Sequence, residues 1–157
     1  MAHTAPADIF TGFLADLEAL PSSSRLDRAD TEVIYALAYQ LVAQGHFDTS
    51  YRYFSLLTLF RPTEVKYLAG LALSYKMLQR YDAAVGVYSF MAVIEPAEPQ
   101  HHLSIAECLL LEGDTDQARD TLALVVRFCQ ENSGHEKTAE RAKAITLLLS
   151  TRTDDAA

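Results

Sequence analysis

Two neighbouring histidines, His101 and His102, and a carboxylate beside a thiol, Glu107 and Cys108, are the residues whose types could support chemistry in this 157-residue chain. Paired histidines suggest a metal. Adjacent residues on a helix, however, point about 100° apart, and no third His, Cys or carboxylate stands at an i+4 position from both. A solvated or packing role fits them better. Glu107 beside Cys108 suggests an activated thiol, but nothing basic lies at helical reach on the same face and no second member of a triad is identifiable. A glycine-rich phosphate loop is also missing from the sequence. The sequence therefore predicts no catalytic residue, no metal and no cofactor. Cys108 and Cys129 sit in apolar helical contexts with no close pair, which predicts buried thiols rather than a disulfide framework or a zinc site.

The composition narrows the classes further. With 50% hydrophobic and 22% charged residues, the chain can form one compact core, so a single domain over 1–157 is expected. A net charge of -8 argues against a nucleic-acid partner, because phosphate binding needs a clustered excess of Lys and Arg. Apolar segments stop short of the roughly 20 residues that span a bilayer, and "MAHTAPADIF" lacks the basic start and apolar centre of a signal peptide. These features predict a soluble, unexported protein with no direct membrane insertion.

The elements that position these residues are periodic. Pro62 and Pro96 stand 34 residues apart, and the same period divides the chain into units 31–64, 65–98 and 99–132. Matching positions are Leu37, Leu71 and Ile105; Ala38, Ala72 and Ala106; Ser50, Ala84 and Ala118; Phe54, Tyr88 and Leu122; and Leu57, Met91 and Val125. Within each unit apolar residues recur at i, i+3, i+4 and i+7, while "QGHFD", "LQRYD" and "EGDTD" fall midway as turns. Each unit thus reads as a helical hairpin, with helices near 31–44 and 47–60, 65–78 and 81–94, and 99–112 and 115–129. Asp30 and Asp114 are the expected N-caps. In "AGLALSYKMLQRYDAA" the small residues Ala72 and Ala84 mark close helix approaches, where ridges can enter grooves.

The length and the small/large pattern resemble the tetratricopeptide repeat, which implies an all-α superhelical solenoid of three hairpins. Three positions depart from it: alanine stands at the eighth position throughout, His102 replaces a large apolar residue, and Gln130 replaces the closing proline. A helix over 7–20 precedes the array, with Ile9, Phe10, Phe13, Leu14 and Leu17 on one broad face, and a helix over 136–150 follows it as a cap. The leading helix shows more apolar surface than a free helix should expose, so it either folds back on the array as a cap or packs against a second copy, and a homodimer through those five residues is the expectation.

In a stacked array the second, fifth, ninth and twelfth positions of each first helix look inward. These are Glu32, Tyr35, Tyr39 and Val42; Lys66, Ala69, Leu73 and Lys76; and Gln100, Leu103, Glu107 and Leu110. Tyr35 and Tyr39 are additional to a core set of Ile34, Leu37, Ala38 and Leu41, which predicts an aromatic and aliphatic groove for an extended peptide. The peptide-binding set is Tyr35, Tyr39, Val42, Ala69, Leu73, Lys76, Leu103, Glu107 and Leu110.

The segments "EVIYALAYQLVAQGHFDTSYRYF", "YDAAVGVYSFMAVIEPAEPQ" and "AECLLLEGDTDQA" resemble the class II chaperones of bacterial type III secretion systems over roughly residues 8–150. The resemblance implies a non-enzymatic chaperone of the bacterial cytoplasm. Its partners would be the hydrophobic translocator proteins, held in the concave groove before export, and its N-terminal helix would mediate a homodimer. The family's groove aromatics fall on Tyr35 and Tyr39, while Val42 stands where many members carry another aromatic. A chaperone for a needle subunit and a general tetratricopeptide adaptor are the alternative readings. An apolar groove on an acidic carrier suits the implied task, because it covers aggregation-prone segments while keeping the complex soluble.

Overall fold

The computed structural model describes residues 6–20 and 26–154, with the side chains of 6–10 and 152–154 outside the description. Among the described residues there are eight helices and no strand: α1 (Pro6–Glu18), α2 (Arg28–Ala43), α3 (Phe47–Phe60), α4 (Val65–Met77), α5 (Tyr81–Ile94), α6 (Pro99–Glu112), α7 (Thr115–Glu131) and α8 (Glu136–Asp154). The fold is all-helical, as the period requires. Two compact units divide it, Met1–Gln79 and Arg80–Ala157, with the boundary inside the second repeat.

Local chemistry sets the helix ends. Asp27, not Asp30, caps α2: its Oδ1 accepts from the Asp30 amide at 2.7 Å, so the helix begins three residues earlier than the period suggests. Asp30 lies in the first turn, where its charge opposes the helix dipole's positive end. Asp114 caps α7 as expected, accepting from the Gln117 amide at 3.1 Å. Pro99 opens α6, where its missing N–H goes unused.

The three midway turns share one backbone feature. Gly45, Gln79 and Gly113 stand at the same repeat position and have φ values of 78°, 59° and 98°. Two are glycine, which enters the left-handed region freely; Gln79 holds that conformation against its own Cβ. Gln79→Gly is therefore expected to raise stability by up to about 1 kcal/mol, read as a higher urea midpoint at an unchanged slope.

In the first unit α3 packs against both α2 and α4. Ala38, Phe54, Leu57, Tyr67, Leu68, Leu71 and Ala72 form its buried apolar set. Ser50 and Ser74 are also buried, and their hydroxyls meet at 2.8 Å, which satisfies two polar groups between α3 and α4. Gly70 is required by this contact. A Cβ added there would stand 2.2 Å from the Phe54 ring, which is itself fully enclosed. Overpacking should outweigh the gain in helix propensity, so Gly70→Ala is expected to destabilise by about 1 to 2 kcal/mol, measured by denaturant unfolding. Leu37 departs from the expected core set: it is 43% exposed. Its helix is the first of the array, and no earlier hairpin covers that side.

The second unit stacks α5 on α6, α6 on α7, and α7 on α8, with α8 also touching α6. Leu103, Ala106, Leu122, Val125 and Ala142 form its core, with Val126, Cys129, Ile145 and Leu149 packed around them. The trailing helix therefore caps α6 and α7 as expected. It extends further than the sequence suggested, through Asp154, because nothing in "LLLSTRTD" breaks a helix.

Candidate functional site

Tyr39 and Leu73 occupy the ninth position of successive repeats, on α2 and α4, which pack together. Both are large and apolar, and both face water: Tyr39 is 61% exposed and Leu73 38%. Val42, Ala69 and Lys76 are half-buried around the same register. This face of the first unit is therefore an apolar surface that the fold itself does not cover.

Tyr35 is different. Its ring stands 6.1 Å from Phe54 in an edge-on contact, 5.5 Å from Tyr67 and 6.2 Å from Tyr39. It is half-buried, and it ties the exposed Tyr39 to the buried aromatics beneath. The sequence reading took Tyr35 as additional to the core; it belongs partly to the core and partly to the surface.

A charged pair beside this cluster was missed. Lys66 is ion-paired with Glu32, and its Nζ lies 4.9 Å from the Tyr35 ring centroid and 5.2 Å from that of Tyr67. The Tyr67 hydroxyl donates to the same Glu32 carboxylate at 3.2 Å. The hydrogen bond from Lys66 holds the Glu32 carboxyl below its ordinary value, and the same bond raises Lys66. Burial pushes the Tyr67 phenol up. The signal was present in the sequence: Glu32 and Lys66 are separated by one repeat length, so equivalent positions on neighbouring helices meet.

In the second unit the inward register fails for one residue. Leu103 is fully buried against Leu122, Val125 and Ala142, so it is core and cannot line an open pocket in this conformation. The fifth position of α6 was assigned to the open face, but α7 and α8 close over it. Leu110 is half-buried. Glu107 is also half-buried and pairs with Arg141 at 2.7 Å, which ties α6 to α8. Tyr88 on α5 has its phenol pushed up to about 12, chiefly by burial and then by Cys108 and Glu107. Cys108 itself is buried.

The histidines separate as well. His101 is buried and its Nε2 meets Glu95 Oε2 at 2.9 Å, joining the α5–α6 connection to α6. His102 lines a pocket of about 260 Å³ with Pro96, Pro99 and Phe128. Its imidazole is held below its ordinary value by burial first and by neighbouring His101 second. No group of three metal-ligating side chains occurs among the described residues.

Of the expected dimer set, Phe13 is 50% exposed and Leu14 and Leu17 are half-buried. Ile9 and Phe10 lie in α1 with side chains outside the described residues. Glu18, at the end of α1, accepts a hydrogen bond from Thr63 of the α3–α4 connection. No helix among the described residues is long and apolar enough to cross a membrane.

No family model matches the chain. Individual proteins do. The low calcium response locus protein H of Yersinia pestis is 24% identical over 114 residues, covering 73% of this chain and 68% of that protein. PcrH from Pseudomonas aeruginosa superposes with a TM-score of 0.72 at 27% identity, covering 83% of this chain and 99% of that one. PcrH in complex with the chaperone binding region of PopD gives the same score and identity, over 82% and 97%. The Yersinia enterocolitica type III secretion translocator chaperone SycD, in an alternative dimer, matches in fold with a TM-score of 0.72 at 21% identity over 83% and 98%. In sequence this all-helical chain is similar to the low calcium response locus protein H and to PcrH, and in fold also to the type III secretion translocator chaperone SycD.

Proposed function

We propose that this chain is a non-enzymatic chaperone of the bacterial cytoplasm that holds a hydrophobic translocator protein of a type III secretion system before export. One observation carries the reading: an uncovered apolar face on α2 and α4, with Tyr39 at 61% exposure, in a chain whose relative PcrH is seen with the chaperone binding region of PopD. Single exposed apolar residues are ordinary on a soluble domain, but Tyr39 and Leu73 share one register on two packed helices, which suits the surface a carrier needs. Tyr39, Leu73, Val42, Ala69 and Lys76 line the face, and Tyr35 supports it from below. A short extended segment would place alternate apolar side chains against Tyr39 and Leu73, with the net charge of -8 keeping the complex in solution. Mass action alone protects such a client, with no nucleotide or cofactor required. The PopD complex favours a translocator over a needle subunit as the client class. The chain also forms a homodimer through α1, whose Phe13, Leu14 and Leu17 offer apolar surface beyond what its own unit covers.

Co-expression with the translocators of its own secretion system, followed by affinity capture, tests this. A translocator is expected to be recovered soluble with the chain and to be insoluble or degraded without it. Recovery of the needle subunit alone would overturn the assignment.

A further inference from the structure

His102 departs from its own repeat. It stands at the fourth position, where the tetratricopeptide pattern carries tryptophan and where the two earlier units carry Ile34 and Leu68. Leu68 fills its place and is only 5% exposed. In the third unit an imidazole, smaller than an indole, stands there beside a pocket of about 260 Å³ between α6 and α7. The walls of this pocket are firmly placed. Val125 is 1% exposed and Pro99 is buried, Pro96 fixes the connection before α6, and the Phe128 ring is in contact with His135 at 5.9 Å.

Polar groups in the pocket are few. His102 makes no hydrogen bond among the described residues, and burial holds its imidazole below its ordinary value, so near neutral pH the ring offers one unprotonated nitrogen as an acceptor. Arg127 and Glu131 bring one charge of each sign, a balance that favours neither a cationic nor an anionic occupant. The fourth position also lies outside the register of Tyr39 and Leu73, and the pocket belongs wholly to the second unit, so it is separate from the apolar face on α2 and α4.

We infer that this pocket takes one tryptophan or tyrosine side chain from a second segment of the client, its indole N–H or phenol O–H donating to the His102 imidazole while its ring rests on Val125 and Phe128. This rests on the proposed holding of a translocator and adds an anchor outside the face already assigned to it. An uncharged aromatic with a polar tip suits an apolar pocket that has a single acceptor and a charge-balanced rim. The client continues beyond the short stretch that α2 and α4 can hold. Once that stretch is bound, the rest of the same chain is present at high effective concentration, and one further aromatic anchor adds avidity.

A filled-pocket variant and a crosslinking variant, both full length, test it. His102→Trp restores the residue of the repeat pattern and places an indole of the chain itself in the pocket. The sequence contains no tryptophan, so the fluorescence of this variant alone reports that one site. Its emission should be blue-shifted and shielded from iodide, and its thermal transition should not fall. In a complex purified with the co-expressed translocator, labelled parent should displace the variant about tenfold faster than it displaces unlabelled parent. Loss of client with no loss of stability is the signature of an occupied site, which a mere packing defect would not give. A destabilised variant or an exposed indole would show that the pocket cannot hold the ring, and displacement at the parental rate would show that the client does not use it; each overturns the inference. Independently, a photoreactive phenylalanine analogue at Leu124, which lines the pocket and is 51% exposed, is irradiated in cells that express the translocators. Adducts are expected at a tryptophan- or tyrosine-containing stretch of a translocator distinct from the one reached from Tyr39. Adducts to a second copy or to another protein, or none, overturn the pocket's assignment when positions 39 and 73 still capture a translocator. If those positions also capture none, the proposed function itself fails.

Discussion

Replacing Tyr39 and Leu73 by alanine is expected to weaken binding of a translocator segment by on the order of a hundredfold or more, with little loss of stability. Aromatic and aliphatic anchors buried at the centre of an interface each contribute about 2 kcal/mol or more. Here the two stand one repeat apart on adjacent helices, 61% and 38% exposed, so they lose most of their water contact only when a client lies across them. Their exposure is also what makes the experiment clean. Tyr39 is the more exposed of the two, while Leu73 keeps part of its surface in packing, so the thermal transition should fall modestly and far less than for a core leucine. Tyr35 is a poorer test residue than the sequence suggests. Its ring contacts Phe54 and Tyr67, so Tyr35→Ala should lower stability as well as binding and mix the two effects. Isothermal titration beside a thermal melt separates the outcomes, and unchanged affinity in the Tyr39/Leu73 variant would remove this face from the site.

Leu103→Ala is expected to act in the opposite way. Leu103 is fully buried among Leu122, Val125 and Ala142, and a deleted core leucine costs about 2 to 5 kcal/mol through lost transfer energy and the cavity left behind. The variant should unfold at markedly lower denaturant concentration. Its folded fraction should still bind the client with close to parental affinity. A Leu103→Ala protein that is stable but fails to bind would return Leu103 to the binding surface.

The repeat period carried most of the packing into view. Positions such as Ala38, Ala72 and Ala106, or Ser50, Ala84 and Ala118, are all fully buried, because one spacing places equivalent residues at equivalent approaches of neighbouring helices. The same logic could have paired Glu32 with Lys66. What the period does not carry is which neighbour covers a given face. Leu37 and Leu71 share a register, yet one is 43% exposed and the other 7%, since only the later one has a hairpin before it. Leu103 shares a register with Tyr35, yet α8 folds over the second unit and encloses it. Register fixes the direction in which a side chain points; burial depends on what arrives there from the rest of the chain. The Asp27 cap was hidden for a related reason, because three acids within Asp27–Asp30–Glu32 offer competing starts, and geometry selects the one whose carboxylate reaches the Asp30 amide.

Photo-crosslinking from the proposed face tests the central claim most directly. A photoreactive phenylalanine analogue placed singly at Tyr39, at Leu73 and at Val33 would be irradiated in cells that also express the translocators. Val33 serves as the control because it is apolar, on α2 like Tyr39, and 72% exposed, but on a different side of the helix. The account predicts strong adducts to a translocator from positions 39 and 73, mapping to one short segment of it, and little from 33. Adducts from 33 as abundant as those from 39, or none from either 39 or 73, would contradict it.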